Sequence, residues 1–258
     1  YTRKAKRQKV VSLGLVDKDF NQKFLFEATP DITTQLDDLE RNHLKNNSII
    51  DGVFLTHAHI GHYTGLMYFG REALGKKGVN IFVMPFMKKY LETNGPWNQL
   101  VDLNNISLTS LQNDSTINLN YTLKVTPFLV PHRDEYSETV GYYIQGKKKA
   151  ALFIPDIDKW EKWSKNIVEE VKKVDYAFVD ATFLEDGEIP RPMSEVQHPF
   201  ISETIKLFKN EPLALRKKVI FIHFNHSNPA LQPYSKERKE IEKMGFQFAT
   251  EKAMYSLE

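Results

Sequence analysis

Cysteine is absent from the 258 residues, so the chain has no disulfide framework, no thiolate nucleophile and no thiolate metal site. Net charge is nearly absent too. Lys+Arg 35 against Asp+Glu 33 leaves +2, too weak a field to point to nucleic acid or an anionic membrane as the main partner. No apolar run approaches the ~20 residues needed to span a bilayer. Internal repeats, low-complexity tracts and dividing linkers are also missing. What is present, 41% hydrophobic and 26% charged residues, is a globular balance that excludes wholesale disorder. The length suits a single domain over 1–258.

An initiating Met is missing as well: the chain opens on Tyr1 and carries five basic residues in its first nine. No aromatic side chains interleave with them for base stacking, so the expectation is a frayed tail over 1–8 rather than a nucleic-acid arm. No apolar signal core follows. A shortened chain, exported with its signal segment gone, is one expectation from such a start.

Short β-rich runs alternate with amphipathic segments. The pattern predicts strands over 10–16, 23–27, 49–55, 81–84, 106–111, 121–129, 176–179, 219–222 and 246–249. It also predicts a hairpin pairing 140–144 with 150–154. Helices are predicted over 31–44, 62–74, 85–93, 159–171, 199–208 and 235–244. β-rich segments predominate in both halves, which implies an α+β fold: two sheets with helices outside, a four-layer αββα sandwich.

Of the eight histidines, seven fall in four short motifs. In Phe54-Leu-Thr-His57-Ala-His59-Ile-Gly61-His62, an extended backbone puts residues two apart on one side, so His57 and His59 can aim at a common point. The chain then turns at Gly61, and His62 opens the next helix. Converging neutral imidazoles suit a borderline cation such as Zn²⁺, and also accept Fe²⁺ or Mn²⁺. Three further residues share one grammar, a polar ligand type just after an apolar strand: His132, Asp156 and His223. His198 precedes a helix and can contact substrate, and Asp134 follows His132 as a candidate acid or base. Glu135 follows it, and Asp158 and Asp180 lie just past strands; like Asp134, each reads first as a solvated loop carboxylate and second as a general acid or base. Tyr63, Tyr68, Phe69, Trp97 and Tyr136 lie near these motifs and can line a pocket.

These residues resemble the metallo-β-lactamase superfamily, whose signature is H-x-H-x-D-H followed by a later His, an Asp and a final His. The resemblance implies that His57, His59 and His132 hold a first metal, His62 and His223 a second, and that Asp156 bridges. Glu27 stands where the family usually has a structural Asp. The wording is similar to the PqqB-like branch (pyrroloquinoline quinone biosynthesis protein B-like), notably in Thr56-His-Ala-His-Ile-Gly-His-Tyr-Thr-Gly65, Val130-Pro-His-Arg-Asp-Glu-Tyr-Ser-Glu138 and Ile222-His-Phe-Asn-His-Ser-Asn-Pro229. Gly61 occupies the position of the family's Asp, so one tight metal and a weak second site are expected. The resemblance implies a metal-activated water acting on an ester, amide or phosphoester, with a small-molecule or peptide substrate. Its alternatives are iron-dependent oxygenation and metal or ligand binding without turnover. Catalytic roles then fall to Asp156, His198 and Asp134.

Overall fold

A computed structural model describes residues 8–190, 192 and 195–258. Residues 1–7 of the expected frayed tail lie outside the described residues. The chain divides into two compact units, one of residues 9–115 with 134–140, the other of 116–133 with 141–258.

In the first unit the chain forms β1 (Leu13–Asp17), β2 (Gln22–Phe26), α1 (Ile32–Asn42), β3 (Gly52–Phe54), α2 (Ile60–Tyr63), β4 (Val79–Val83), α3 (Pro85–Thr93), α4 (Trp97–Asp102) and β5 (Ile106–Ser110). The sheet runs in the order β1-β2-β3-β4-β5. β1 is antiparallel to β2, while β2, β3, β4 and β5 are parallel neighbours. Because side chains alternate along a strand, Leu25, Val53 and Ile81 face one way and pack with Ile32, Leu36 and Leu39 of α1. The alternate positions carry stacked phenylalanines, Phe26 on Phe54 and Phe54 on Phe82, with ring centroids 4.9 and 4.2 Å apart. Gly52 is required there: a Cβ would lie 2.7 Å from the Phe82 ring.

The second unit holds β6 (Ile117–Asn118), β7 (Lys124–Leu129), β8 (Val140–Gln145), β9 (Ala150–Ile154), α5 (Ile167–Lys172), β10 (Tyr176–Asp180), α6 (Ile201–Phe208), α7 (Leu213–Arg216), β11 (Val219–Ile222), α8 (Lys236–Lys243) and β12 (Gln247–Phe248). Its sheet is ordered β12-β11-β10-β9-β8-β7-β6. β9, β10, β11 and β12 are parallel, and β8 returns antiparallel on β9 as the expected hairpin. Leu152, Ile154, Val179 and Phe221 pack with Val171, Ile201, Phe208 and Ile241 from the helices. The mixed α and β fold with two sheets is the one expected. No helix among the described residues is long and apolar enough to cross a membrane.

Several boundaries differ from expectation for local reasons. The helix expected over 62–74 is one turn of α2 followed by a 3-10 turn, Thr64–Phe69. Gly65 donates its N–H to Ala28 O at 2.8 Å, and a Cβ at Gly65 would sit 2.1 Å from Thr29 O. The backbone is pinned there against the end of β2. The helix expected over 159–171 begins only at Ile167, where Asn166 accepts from Val168 N and Glu169 N as an N-cap. Upstream, Trp160 and Trp163 are core anchors, their indole N–H groups donating to Thr204 Oγ1 and Leu129 O at 2.9 and 3.0 Å. The strand expected over 121–129 shortens because Asn120 Oδ1 takes Thr122 N and Leu123 N in a side-chain turn. α4 and α7, one to two turns each, are too short for periodicity to reveal.

Lys23 on β2 is fully buried; its ammonium pairs with the Glu40 carboxylate and donates to Leu44 O at 3.1 Å. Glu40 keeps a third of its side chain exposed, so the two partners are unequal. Glu40→Ala strands a buried cation and is expected to cost about 3 kcal/mol. Lys23→Met leaves only a carboxylate that rehydrates, and is expected to cost less. Urea unfolding midpoints check the ranking, and a larger loss in Lys23→Met contradicts it.

Candidate metal centre

In parallel sheets the carboxyl ends of the strands carry the functional loops. In the first unit β3 ends at Phe54, and the chain bends at Ala58 and His59 before α2, His59 itself keeping extended φ and ψ of −92 and 143. His57 Nε2 lies 2.8 Å from His59 Nδ1. The His57 ring lies 4.4 Å from His59 and 4.3 Å from His62, centroid to centroid. The spacing thus brings His57 and His59 nitrogen to nitrogen within the unit, while His62 packs its ring on His57 and, among the described residues, is in no group of gathered ligand atoms. Glu27, just past β2, is fully buried, with a left-handed φ of 79. It accepts from the Thr56 hydroxyl and faces His62 Nδ1 at 3.3 Å. Thr56 in turn lies 2.8 Å from His57 Nδ1. On the exposed side, His59 Nε2 meets Glu135 Oε2 at 3.0 Å.

In the second unit three adjacent parallel strands, β9, β10 and β11, deliver Asp156, Asp180 and His223 at their carboxyl ends. His198 arrives from the segment before α6. His198 Nδ1 lies 2.8 Å from Asp180 Oδ2 and 3.1 Å from Asp156 Oδ1, and His223 Nε2 lies 3.4 Å from Asp156 Oδ2. His132 joins them, its Nε2 3.9 Å from Asp156 Oδ1. Asp156, Asp180, His198 and His223 each offer one ligand atom, and those atoms all lie within 4.8 Å of one another. Two imidazoles and two carboxylates at that spacing are a donor set that fits a divalent cation such as zinc, iron or manganese. His223 is held at φ 64, a conformation costing a non-glycine residue on the order of 1–3 kcal/mol and tolerated where surroundings over-determine it.

The sequence pattern gave Asp180 the place of an ordinary loop carboxylate; instead it has no exposure at all. Its Oδ1 accepts from Thr182 N and Thr182 Oγ1 at 2.9 and 2.7 Å, and its Oδ2 accepts from Ile157 N at 3.2 Å. A signal was available, since Asp180 closes an apolar strand as Asp156 and His223 follow theirs. Burial works against a charge on His198, but the facing Asp180 and Asp156 carboxylates outweigh it and push its pKa up to about 10.

The other expected residues fall into four groups. Asp134 is exposed and spends one oxygen on Thr139 Oγ1 at 2.8 Å; partial desolvation, first, raises its carboxyl above the usual range. Asp158 is a buried turn residue holding Lys159 N and the Lys162 ammonium, both at 2.7 Å. Tyr63, Phe69 and Trp97 belong to the core of the first unit. Tyr136 alone of the five aromatic candidates lines a shallow, open surface groove of about 310 Å³, with Phe86, Lys89, Tyr90, Thr93 and Glu135. Phe86 and Tyr90 share one face of α3 by i, i+4 spacing, which was the sequence signal for them.

In the metal-free protein, His198 is expected to keep its extra proton to about pH 10. The folded value lies above the ordinary 6.5, so this contribution to stability is complete below about pH 6.5 and fades as pH rises towards 10. Asp180→Asn should lower the midpoint in an NMR titration; an unchanged midpoint contradicts the assignment.

A family model described as the β-lactamase superfamily domain matches residues 22–224. The coenzyme PQQ synthesis protein B of Gluconobacter oxydans is 26% identical over 283 residues, covering 100% of this chain and 90% of that protein. Its namesake in Methylobacillus flagellatus is 26% identical, covering 96% and 88%. Among solved structures, zinc-bound PqqB from Methylobacterium extorquens superposes with a TM-score of 0.73 at 20% identity, covering 92% of this chain and 84% of that one. That likeness shows the fold. The match spans most of the chain, including both histidine-bearing regions and all three strand ends that deliver Asp156, Asp180 and His223, and on it the chain belongs to the β-lactamase superfamily domain family, as a metallo-β-lactamase-fold protein of the PqqB-like kind.

Proposed function

We propose that this chain is a metal-dependent hydrolase acting on an ester, amide or phosphoester bond. The observation that carries the reading is the gathering of imidazoles and carboxylates at strand ends within each unit, with ligand atoms of the second unit's quartet inside 4.8 Å. His57, His59 and His132 are the proposed ligands of one tight cation, and His62, His223 and Asp156 those of a weaker second. Zinc is the proposed metal, supported by the histidine-rich donor set and by the zinc-bound relative. When bound, such a cation lowers the pKa of water towards ~7 and polarises the scissile carbonyl or phosphoryl oxygen.

The chain's own residues do the rest. His198, oriented by Asp180 at 2.8 Å, is the proposed proton carrier for the leaving group. Asp134 is proposed as a solvent-side acid or base, on the loop that also carries Glu135 and Tyr136. The open groove lined by Phe86, Tyr90, Tyr136, Lys89 and Glu135 offers apolar and charged side chains to a small-molecule or peptide substrate. Glu135 joins that groove to His59.

A second reading, iron-dependent oxygenation, is favoured by one observation. His198 and His223 flank Asp156 within a single unit, and two imidazoles with one carboxylate form a set that binds Fe²⁺ with positions open for dioxygen.

His59→Ala is expected to abolish both metal retention and turnover; undiminished hydrolysis by the metal-free protein contradicts the hydrolase reading. Dioxygen uptake with Fe(II), measured beside acid release from ester and phosphodiester substrates, separates the two chemistries. Among the described residues a Cβ at Gly61 would meet only Val10 Cγ1, at 3.8 Å. Gly61→Asp is therefore expected to raise metal retained through chelator dialysis from one equivalent to two. Two equivalents in the unaltered chain would count against the weak second site.

A further inference from the structure

The same three-part arrangement occurs once in each unit: a buried carboxylate, a threonine hydroxyl and an imidazole. In the first unit Thr56 Oγ1 donates to Glu27 Oε1 and lies 2.8 Å from His57 Nδ1. In the second, Thr182 Oγ1 donates to Asp180 Oδ1 at 2.7 Å and lies 2.8 Å from His223 Nδ1. Both threonines are buried.

A hydroxyl has one proton and two lone pairs, while a carboxylate only accepts. Once the threonine proton is committed to the carboxylate, the oxygen can only accept from the imidazole. The facing Nδ1 must then carry the hydrogen, and a neutral ring keeps its lone pair on Nε2. We propose that Thr56 and Thr182 are positioning residues that set His57 and His223 as Nδ1–H tautomers, so that each turns the lone pair of Nε2 towards a metal ion. The metal-directed half of this inference rests on the reading of His57 and His223 as ligands.

Three observations support it. Both carboxylates act as acceptors throughout: Asp180 also accepts from Thr182 N, Ile157 N and His198 Nδ1, and Glu27 accepts from Thr56 N at 3.4 Å and faces His62 Nδ1 at 3.3 Å. In the second unit Nε2 of His223 points to the side occupied by another proposed ligand, Asp156 Oδ2, 3.4 Å away. The Thr182 oxygen also lies 3.1 Å from His198 Nδ1, whose single hydrogen is shared with Asp180 Oδ2 at 2.8 Å; an oxygen facing two imidazole nitrogens keeps its lone pairs for them when its own proton goes to Asp180. A directly bonded carboxylate would fix the same tautomer; here the hydroxyl passes that control on at neutral charge. Metal-bound imidazoles commonly donate their other N–H in this way, and loss of the acceptor typically weakens metal binding by about 10–100-fold.

Long-range ¹H–¹⁵N NMR of histidine-labelled, metal-free protein reads the tautomers directly, at a pH above the ordinary imidazole range. His57 and His223 are expected as Nδ1–H forms, which makes His59 Nδ1 the donor of its 2.8 Å contact with His57 Nε2. Thr182→Val should move His223 away from that form and raise the zinc Kd in a chelator competition by roughly ten-fold or more. Thr182→Ser, which keeps the hydroxyl, should restore both. Thr56→Val and Thr56→Ser should do the same for His57. An Nε2–H form at either ring in the unaltered protein overturns the proposal even if the valine variants fail to fold. So do valine variants with unchanged tautomers and zinc affinity. Nδ1–H tautomers together with no zinc uptake would support the tautomer assignment and overturn the ligand reading instead.

Discussion

The structure depends on two buried carboxylates that can only accept hydrogen bonds. Glu27 and Asp180 have no solvent exposure, and a buried charge left short of donors costs several kcal/mol. Their surroundings are arranged to supply those donors. Backbone N–H groups, threonine hydroxyls and imidazoles turn towards them, and each imidazole is thereby fixed in orientation. The left-handed backbone at Glu27 and His223 is tolerated because these bonds leave little freedom to relax.

Strand direction explains why the chemistry gathers where it does. β2, β3, β4 and β5 run parallel in one sheet, as do β9, β10, β11 and β12 in the other. Parallel neighbours release their following loops at a common edge, so residues far apart in sequence arrive together without long connections. Asp156, Asp180 and His223 meet in this way. Apolar packing below them, from Ile154, Val179 and Phe221 against the helices, makes that edge rigid.

Much of this was legible in the sequence, for reasons that can be named. His57 and His59 are two apart, and a period-2 pattern puts them side by side. Asp156 and His223 each follow an apolar run, and that grammar predicted a site at strand ends. The partnership of Asp180 with His198 was not legible: eighteen positions and an irregular segment separate them, and no periodicity connects them. Thr56 and Thr182 were hidden for a different reason. A hydroxyl's role depends on which neighbour takes its single proton, and only coordinates decide that. The early end of the helix expected over 62–74 and the late start of the one expected over 159–171 follow from tertiary contacts, a glycine against a carbonyl and two anchored indoles, which override local preference.

Fold alone does not assign chemistry, and the superfamily's architecture is compatible with hydrolysis as well as oxidation. The account rests on imidazoles binding one cation through the nitrogens that their hydrogen bonds leave basic. X-ray absorption at the zinc edge of the zinc-loaded protein tests this most directly. The account predicts a nitrogen and oxygen shell at about 2.0–2.1 Å, with the outer-shell scattering of imidazole rings, weakened by one ring in His132→Ala. A spectrum without imidazole scattering, or one unaltered by that substitution, would contradict it.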